Sequence, residues 1–212
     1  METMIYVIMC GGTYTHFEKH KALTEINGEP LIHRTVRLLK QLTNSQIFIT
    51  ASDPEFKKYG VILPHENTFS YDGHKPTGYW LDAFYPHFLP GTKVTYLMGD
   101  VYYTEQALHL ITQYPATENT LFGTKHNKPW EEPLAYMVVN YTEFLDGINE
   151  VKKLADNGKC LRHPIIWELY RYLNGIDVNT HILKPETYVN IPHGGMDVDF
   201  PHEIENARSE YE

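Results

Sequence analysis

Short β-rich runs alternate along this chain with stretches of helical period, and that alternation limits its fold more than any other feature. Such an order is typical of a mostly parallel sheet flanked by helices, so we predict an α/β fold with a mixed sheet. The predicted strands cover 5–9, 46–50, 61–63, 93–98, 120–124 and 135–140. Helices are predicted to start at Pro30 and Asp199 and to cover 78–88, 105–113, 142–154 and 163–173. Because 212 residues suffice for one sizeable core but hardly for two, a single domain over 1–212 is expected.

The amino-acid composition limits the kinds of molecule that the protein is expected to bind. The formal net charge of −9 argues against a nucleic acid, because duplex binding requires a basic face that neutralises phosphates. No run approaches the roughly 18 apolar residues of a membrane span, so no membrane partner is expected. The first apolar run, Ile5 to Met9, is too short for a signal peptide and follows no basic region. We therefore expect a cytoplasmic protein in which Cys10 and Cys160 are thiols.

A glycine pair follows the first predicted strand, in the sequence Cys10-Gly11-Gly12-Thr13. In an open α/β sheet, ligands bind at the carboxyl ends of the strands. Adjacent glycines let the backbone approach a ligand closely, and the exposed amides of such a loop can bind phosphate oxygens. These four residues are therefore candidates for nucleotide binding, although a lone glycine pair after a strand is more often a plain turn.

The longer segment from Met9 to Ile32 resembles the N-terminal signature of the nucleotidyltransferase superfamily with the GT-A-like, Rossmann-like fold. This superfamily includes sugar-phosphate nucleotidyltransferases, cytidylyltransferases and the molybdopterin-guanine dinucleotide enzymes. The residues that match in order and spacing are Gly11, Gly12, Lys21, Gly28, Pro30 and Leu31. The resemblance implies transfer of a nucleoside monophosphate from an NTP with release of pyrophosphate.

Lys21 has the clearest implied role, because a fixed ammonium can balance the charge that gathers on the α-phosphate and pyrophosphate. Three positions depart from the signature: Tyr14 replaces a glycine, His16 an arginine and His20 a proline. His16 is a second candidate catalytic residue if it takes over the phosphate contact of the arginine. A solvent-exposed loop histidine is the alternative for His16, and a solvated surface lysine is the alternative for Lys21.

Candidate metal ligands lie far apart in sequence. The resemblance implies that Asp100, which follows the predicted strand 93–98 at its carboxyl end, holds Mg²⁺ together with NTP phosphate oxygens. The segment from Met196 to Ala207 looks like the C-terminal element of cytidylyltransferases, which makes Asp199 a metal ligand and Asp197 a second one. Asp199 also suits the N-cap of the last helix, and the two roles are compatible. We predict that Asp100 and Asp199 converge on one Mg²⁺ site.

The substrates are implied less directly. The C-terminal element favours CTP or UTP as donor, and the family's acceptors suggest a small phosphorylated molecule. Lys125 and Trp130 are candidates for acceptor binding, and Thr77 and Gly78, at a predicted helix start, for nucleotide phosphate binding. The assembly state stays open, with a homodimer as one option. Two alternatives stay open as well: a GT-A glycosyltransferase that uses a nucleotide sugar, and a degenerate nucleotide-binding protein.

Overall fold

The protein is described by a computed structural model over residues 4–11, 13–14, 19–65, 69–71, 76–115, 117–125, 130–199 and 203–204. In chain order its strands are β1 (Met4–Met9), β2 (Thr13–Tyr14), β3 (Glu25–Ile26), β4 (Glu29–Pro30), β5 (Gln46–Thr50), β6 (Val61–Leu63), β7 (Ser70–Tyr71), β8 (Pro76–Thr77), β9 (Lys93–Met98), β10 (Val101–Tyr103), β11 (Thr120–Thr124), β12 (Glu132–Val138), β13 (Tyr188–Asn190) and β14 (Gly195–Asp197). The α-helices are α1 (Leu31–Leu42), α2 (Glu105–Gln113), α3 (Tyr141–Asp156) and α4 (Ile166–Leu173).

The main sheet has the strand order β13-β11-β12-β9-β1-β5-β6. Among these described strands β12 alone is antiparallel to its neighbours, and the other six run in one direction. Helices flank the sheet, and one apolar cluster joins it to them. This architecture confirms the predicted α/β fold with a mostly parallel, mixed sheet. No helix in the described ranges has the length and apolarity that crossing a membrane demands.

The first helix shows how the sequence sets these elements. Pro30, with φ −60°, precedes α1, and proline is favoured at a helix start because its φ is already helical. Leu31, Ile32, Val36, Leu38 and Leu39 then recur at helical spacing and are buried. Before α1, β3 and β4 form a hairpin whose two-residue loop, Asn27-Gly28, has positive φ at both positions. Asn-Gly is the pair that such a type I′ turn favours.

The predicted helix 78–88 is wrong. In that segment only Trp80–Ala83 is helical, as a short 3-10 turn. Pro86 has no N–H to donate to the Asp82 carbonyl, and a ring nitrogen of His65 contacts that carbonyl instead. The Tyr85 carbonyl accepts hydrogen bonds from the hydroxyls of Tyr96 and Tyr141, at 2.8 and 2.5 Å, so tertiary contacts replace the helical ladder.

Several short strands were not predicted, and some predicted elements have shifted boundaries. β12 begins at Glu132, three residues before the predicted start, and it ends before Asn140, whose side chain caps α3 by accepting from the Glu143 amide. α4 begins at Ile166, after Pro164, and the Glu168 carboxylate accepts from the Ile165 amide at its start. For the helix predicted from Asp199, Glu203 and Ile204 are helical and the residues around them lie outside the described part.

Candidate active site

The carboxyl ends of β1 and β9 lie side by side, with Met9 paired to Met98. The two loops that follow are in close contact, since the Gly99 amide donates to the Met9 carbonyl at 3.0 Å. A Cβ atom on Gly99 would lie 2.3 Å from the Met9 carbonyl oxygen and 2.6 Å from Cys10 Sγ. Position 99 therefore requires glycine. The close approach of the two loops places Asp100 directly beside the Cys10–Gly11 loop.

Lys21 reaches the same place from a 3-10 turn, Lys21–Leu23. Its side chain is only 2% exposed, and Nζ lies 2.6 Å from Asp100 Oδ2 and 2.8 Å from Asp199 Oδ1. Lysine is rarely buried unless it is paired, and here it is paired twice. The structure therefore places Lys21 between the two carboxylates that the sequence named as candidate metal ligands.

His20 positions that turn. Its Nδ1 accepts a hydrogen bond from the Ala22 amide at 3.2 Å, and its ring packs edge-on against Phe56 at a centroid distance of 5.1 Å. Nε2 is buried beside the Gly11 backbone and makes no hydrogen bond of good geometry to the described residues. Burial lowers the pKa of His20, which favours the neutral ring that an accepting Nδ1 requires. Sequence reasoning noted His20 only as a missing proline and did not foresee this role.

The pairing of β10 with β14 brings the C-terminal acids to the site. Val101 is opposite Asp197, and the Val198 amide donates to the Asp100 carbonyl at 3.0 Å. The Asp199 amide in turn donates to the Glu203 carboxylate at 2.7 Å. Carboxylate oxygens of Asp100, Asp197 and Asp199 lie within 4.8 Å of one another. The predicted convergence of Asp100 and Asp199 is therefore seen, while their role as metal ligands stays a prediction.

The electrostatics of this acidic cluster suit a cation. Burial alone would raise the pKa of Asp100, but the charge and hydrogen bond of Lys21 outweigh it and hold that pKa below its ordinary value. Burial, and then the negative charge of Asp100, raise the pKa of Asp197 well above its usual range. Asp197 Oδ1 is buried without a hydrogen-bond partner among the described residues. A set of carboxylate oxygens with one unsatisfied member fits a hard divalent cation such as Mg²⁺.

The strand that follows the glycine loop belongs to the same small sheet as Thr77. β2 pairs with β7, and β7 pairs with β8, so Thr13 and Thr77 belong to one three-stranded sheet. Gly78, with φ +69°, follows, and both Thr77 and Gly78 are exposed. No α-helix starts at Thr77 or Gly78, so these residues do not provide the helix N-terminus that was expected to bind an anion. Gly12 and His16 lie outside the described residues, and their roles stay predictions.

Cys10, a further predicted nucleotide-binding residue, is buried, and its backbone amide donates to the Thr50 carbonyl at 2.8 Å. Burial, followed by the charge of Asp100, raises the pKa of its thiol well above the ordinary value. The thiol is therefore neutral at physiological pH, and the side chain packs rather than reacts.

The candidate acceptor residues lie beyond β11, close to a separate cavity. Trp130 is 56% exposed and lines a cavity of about 360 Å³ together with Glu131, Arg162 and His181. Glu131 accepts from His181 Nε2 at 2.9 Å, and Lys125 Nζ stands 4.0 Å from the same carboxylate. Glu131 immediately precedes β12, and β12 packs against β14, the strand that ends at Asp197. The sequence carried no signal for Arg162 or His181.

A mostly parallel α/β sheet with a glycine loop after its first strand, a buried lysine and clustered acids is typical of nucleotidyltransferases. Residues 6–165 match the family described as MobA-like NTP transferase domain. The chain belongs to this family, and it is a nucleotidyltransferase. A comparison with curated proteins found no significant match.

Solved structures share the fold over nearly the whole chain. The CTP:phosphocholine cytidylyltransferase from Streptococcus pneumoniae is 12% identical, with 98% of each chain covered and a TM-score of 0.58. The 4-diphosphocytidyl-2C-methyl-D-erythritol synthase from Anaerococcus prevotii is also 12% identical, with 98% of this chain and 97% of that chain covered and a TM-score of 0.58. CMP:2-keto-3-deoxy-manno-octonic acid synthetase, complexed with CTP, is 13% identical, with 98% of each chain covered and a TM-score of 0.55. At these identities the likeness shows the fold.

Proposed function

We propose that this protein transfers a nucleoside monophosphate from CTP or UTP to a small phosphorylated acceptor and releases pyrophosphate. The observation that carries the proposal is the buried ammonium of Lys21, held between Asp100 and Asp199 at the end of β1 and β9. A buried cation beside a glycine loop and an acidic cluster is what a reaction at a polyphosphate requires.

Different residues of the chain bind the NTP, hold the metal ion and stabilise the transition state. The amides around Gly11 and Gly12 bind phosphate oxygens of the NTP, and Asp100, Asp199 and Asp197 would hold Mg²⁺. When bound there, the ion would supply positive charge that polarises the α-phosphate. An oxygen of the acceptor forms a bond to the α-phosphorus while the bond to the pyrophosphate oxygen breaks. Lys21 stabilises the negative charge that grows on the α-phosphate and pyrophosphate oxygens during this step.

The choice of substrates rests on analogy. Two of the structural relatives described above are named for CTP, or carry it, which supports a pyrimidine nucleotide. The cavity beside Trp130 is the proposed acceptor site, because it opens at the start of β12, the strand that packs against β14 and Asp197. Its exposed indole offers an apolar surface, and Arg162, which is paired with Glu168 at 2.7 Å, contributes a cation. Lys125 is 55% exposed beside Glu131 and would meet the acceptor at the rim.

A thermal-shift comparison of the four NTPs, each with Mg²⁺, tests the donor. A ligand at about 100 times its dissociation constant stabilises the folded state by roughly 2.7 kcal/mol, which raises the melting point of a chain of this size by about 5–11 °C. CTP or UTP should give the largest shift. Equal shifts with all four NTPs would contradict the pyrimidine preference without touching the transfer reaction.

A further inference from the structure

The acidic cluster of Asp100, Asp197 and Asp199 already contains a cation that belongs to the chain. The Lys21 ammonium makes two short contacts with it, at 2.6 and 2.8 Å, and the lysine side chain is almost completely buried. Carboxylate oxygens of all three aspartates lie within 4.8 Å of one another, so a divalent ion bound by the three would share their space with Nζ. An ammonium and a divalent cation repel each other at such a distance, and more strongly where water is excluded.

The two contacts of Lys21 differ in how easily they can open. The Asp100 side chain is 24% exposed, whereas that of Asp199 is 48% exposed. Water can hydrate the more exposed carboxylate of Asp199 when Lys21 leaves it, whereas Asp100 would be left as a more deeply buried charge. The turn that bears Lys21 is fixed by His20, but the four-carbon stem of a lysine can swing while its main chain stays in place.

We propose that Lys21 is a built-in counter-ion of this metal site, which must leave Asp199 before a divalent cation can bind there. This inference rests on the proposed function, in which a triphosphate arrives beside Lys21. The phosphates then attract the ammonium away from Asp199, and Asp199 exchanges it for the metal. The free protein therefore binds a divalent cation weakly, and the complete site forms only when the nucleotide is present.

Binding of Mn²⁺ alone, followed by the electron paramagnetic resonance signal of the free hydrated ion, tests the competition in the absence of nucleotide. Lys21→Met and Lys21→Gln should each bind Mn²⁺ at least tenfold more tightly than the wild type. Lys19→Met is the matched control, because it removes the same charge from an exposed position two residues away. It should bind Mn²⁺ within about twofold of the wild type. Equal or weaker binding by both Lys21 variants would overturn the proposal, because Lys21 would then support the site instead of competing for it.

A second measurement covers the case in which the Lys21 variants do not fold. In the wild type, acetic anhydride should label buried Lys21 slowly, and labelling read by mass spectrometry should rise several-fold when Mn²⁺ saturates the site. Unchanged labelling at saturating Mn²⁺ would overturn the proposal independently of any variant. Variants that fold only with Mn²⁺ would support it, because the ion then replaces the missing ammonium.

The failure of this inference and that of the proposed function are distinguishable. Pyrophosphate release by the wild type depends on the transfer reaction, whereas the Mn²⁺ affinity of the free protein depends only on Lys21 and the acids.

Discussion

Substituting Gly99 by alanine should damage both the fold and the candidate active site. The new Cβ would lie 2.3 Å from the Met9 carbonyl oxygen, and Cβ contacts below 3.0 Å are essentially never seen. The two strand ends must therefore separate by about 0.7 Å, the difference between those distances. The obstacle is backbone, so no side chain can rotate away to relieve it.

The magnitude follows from overpacking. Forcing an extra carbon into a packed core costs about 1–3 kcal/mol, and lengthening the Gly99 to Met9 hydrogen bond adds roughly 1 kcal/mol. For a chain of this size, that total corresponds to a melting point lowered by about 4–16 °C. Activity should fall further, by roughly 10²-fold, because Asp100 moves with the loop and a displacement near 1 Å is enough for such a loss.

Differential scanning fluorimetry and pyrophosphate release measure the two effects. Gly60→Ala is the matched control, since its nearest contact is the flexible end of Ile49, 3.3 Å away, and it should stay close to the wild type. Cys10→Ala added to Gly99→Ala should not restore stability, because the Met9 carbonyl remains in place. A Gly99→Ala protein with a melting point within about 1 °C and turnover within about twofold of the wild type would refute the reasoning.

Three further predictions follow from individual contacts. Lys21→Ala should lower kcat by about 10²-fold or more, with a smaller change in NTP affinity. Lys21→Arg should restore little of the lost activity. Near-normal pyrophosphate release by Lys21→Ala would show that Lys21 is not part of the active site. Trp130→Ala should raise the KM for the acceptor while leaving the NTP-induced thermal shift unchanged, and an unchanged KM would place the acceptor elsewhere. Two hydrogen bonds from Arg37, at 2.7 and 2.8 Å, lower the pKa of Glu29 in the folded protein. The pair therefore stabilises the fold at pH values above the unfolded-state pKa of Glu29. This stabilisation is lost as the pH falls through the lowered pKa of the folded state. Urea unfolding should show Arg37→Ala less stable than the wild type by about 0.5–1 kcal/mol at pH 7 and equal to it in acid, and a pH-independent difference would contradict this.

Six of the seven strands of the main sheet were predictable from the sequence because they are apolar and are separated by polar turns; β13 was not predicted. The runs 46–50, 61–63, 93–98 and 120–124 match β5, β6, β9 and β11 residue for residue. The small pieces that complete the site were not predicted. β10 and β14 have three residues each, and each is stabilised by pairing with the other across some ninety residues of sequence. Local periodicity carries no information about such a pairing.

The candidate active site likewise has features that the sequence predicted and features that it did not. Resemblance led to Lys21, Asp100 and Asp199, and the structure places them in direct contact. The resemblance did not indicate that Lys21 would occupy the space between Asp100 and Asp199, because that position depends on tertiary packing. The Asn27-Gly28 hairpin carried a signal that could have been used, since this pair is the usual sign of a two-residue β-turn. The failed helix 78–88 also had a warning, in Pro86.

Pyrophosphate release tests the central claim most directly. Wild-type protein, supplied with CTP or UTP, Mg²⁺ and a panel of small phosphorylated acceptors, should release pyrophosphate and form a nucleotide-linked product in equal amounts. Asp100→Asn should keep the melting point of the wild type within a few degrees and lose this release, because the acidic cluster loses one of its carboxylates. Pyrophosphate release by Asp100→Asn at the wild-type rate would contradict the assignment of the reaction to the site formed by Lys21, Asp100, Asp197 and Asp199.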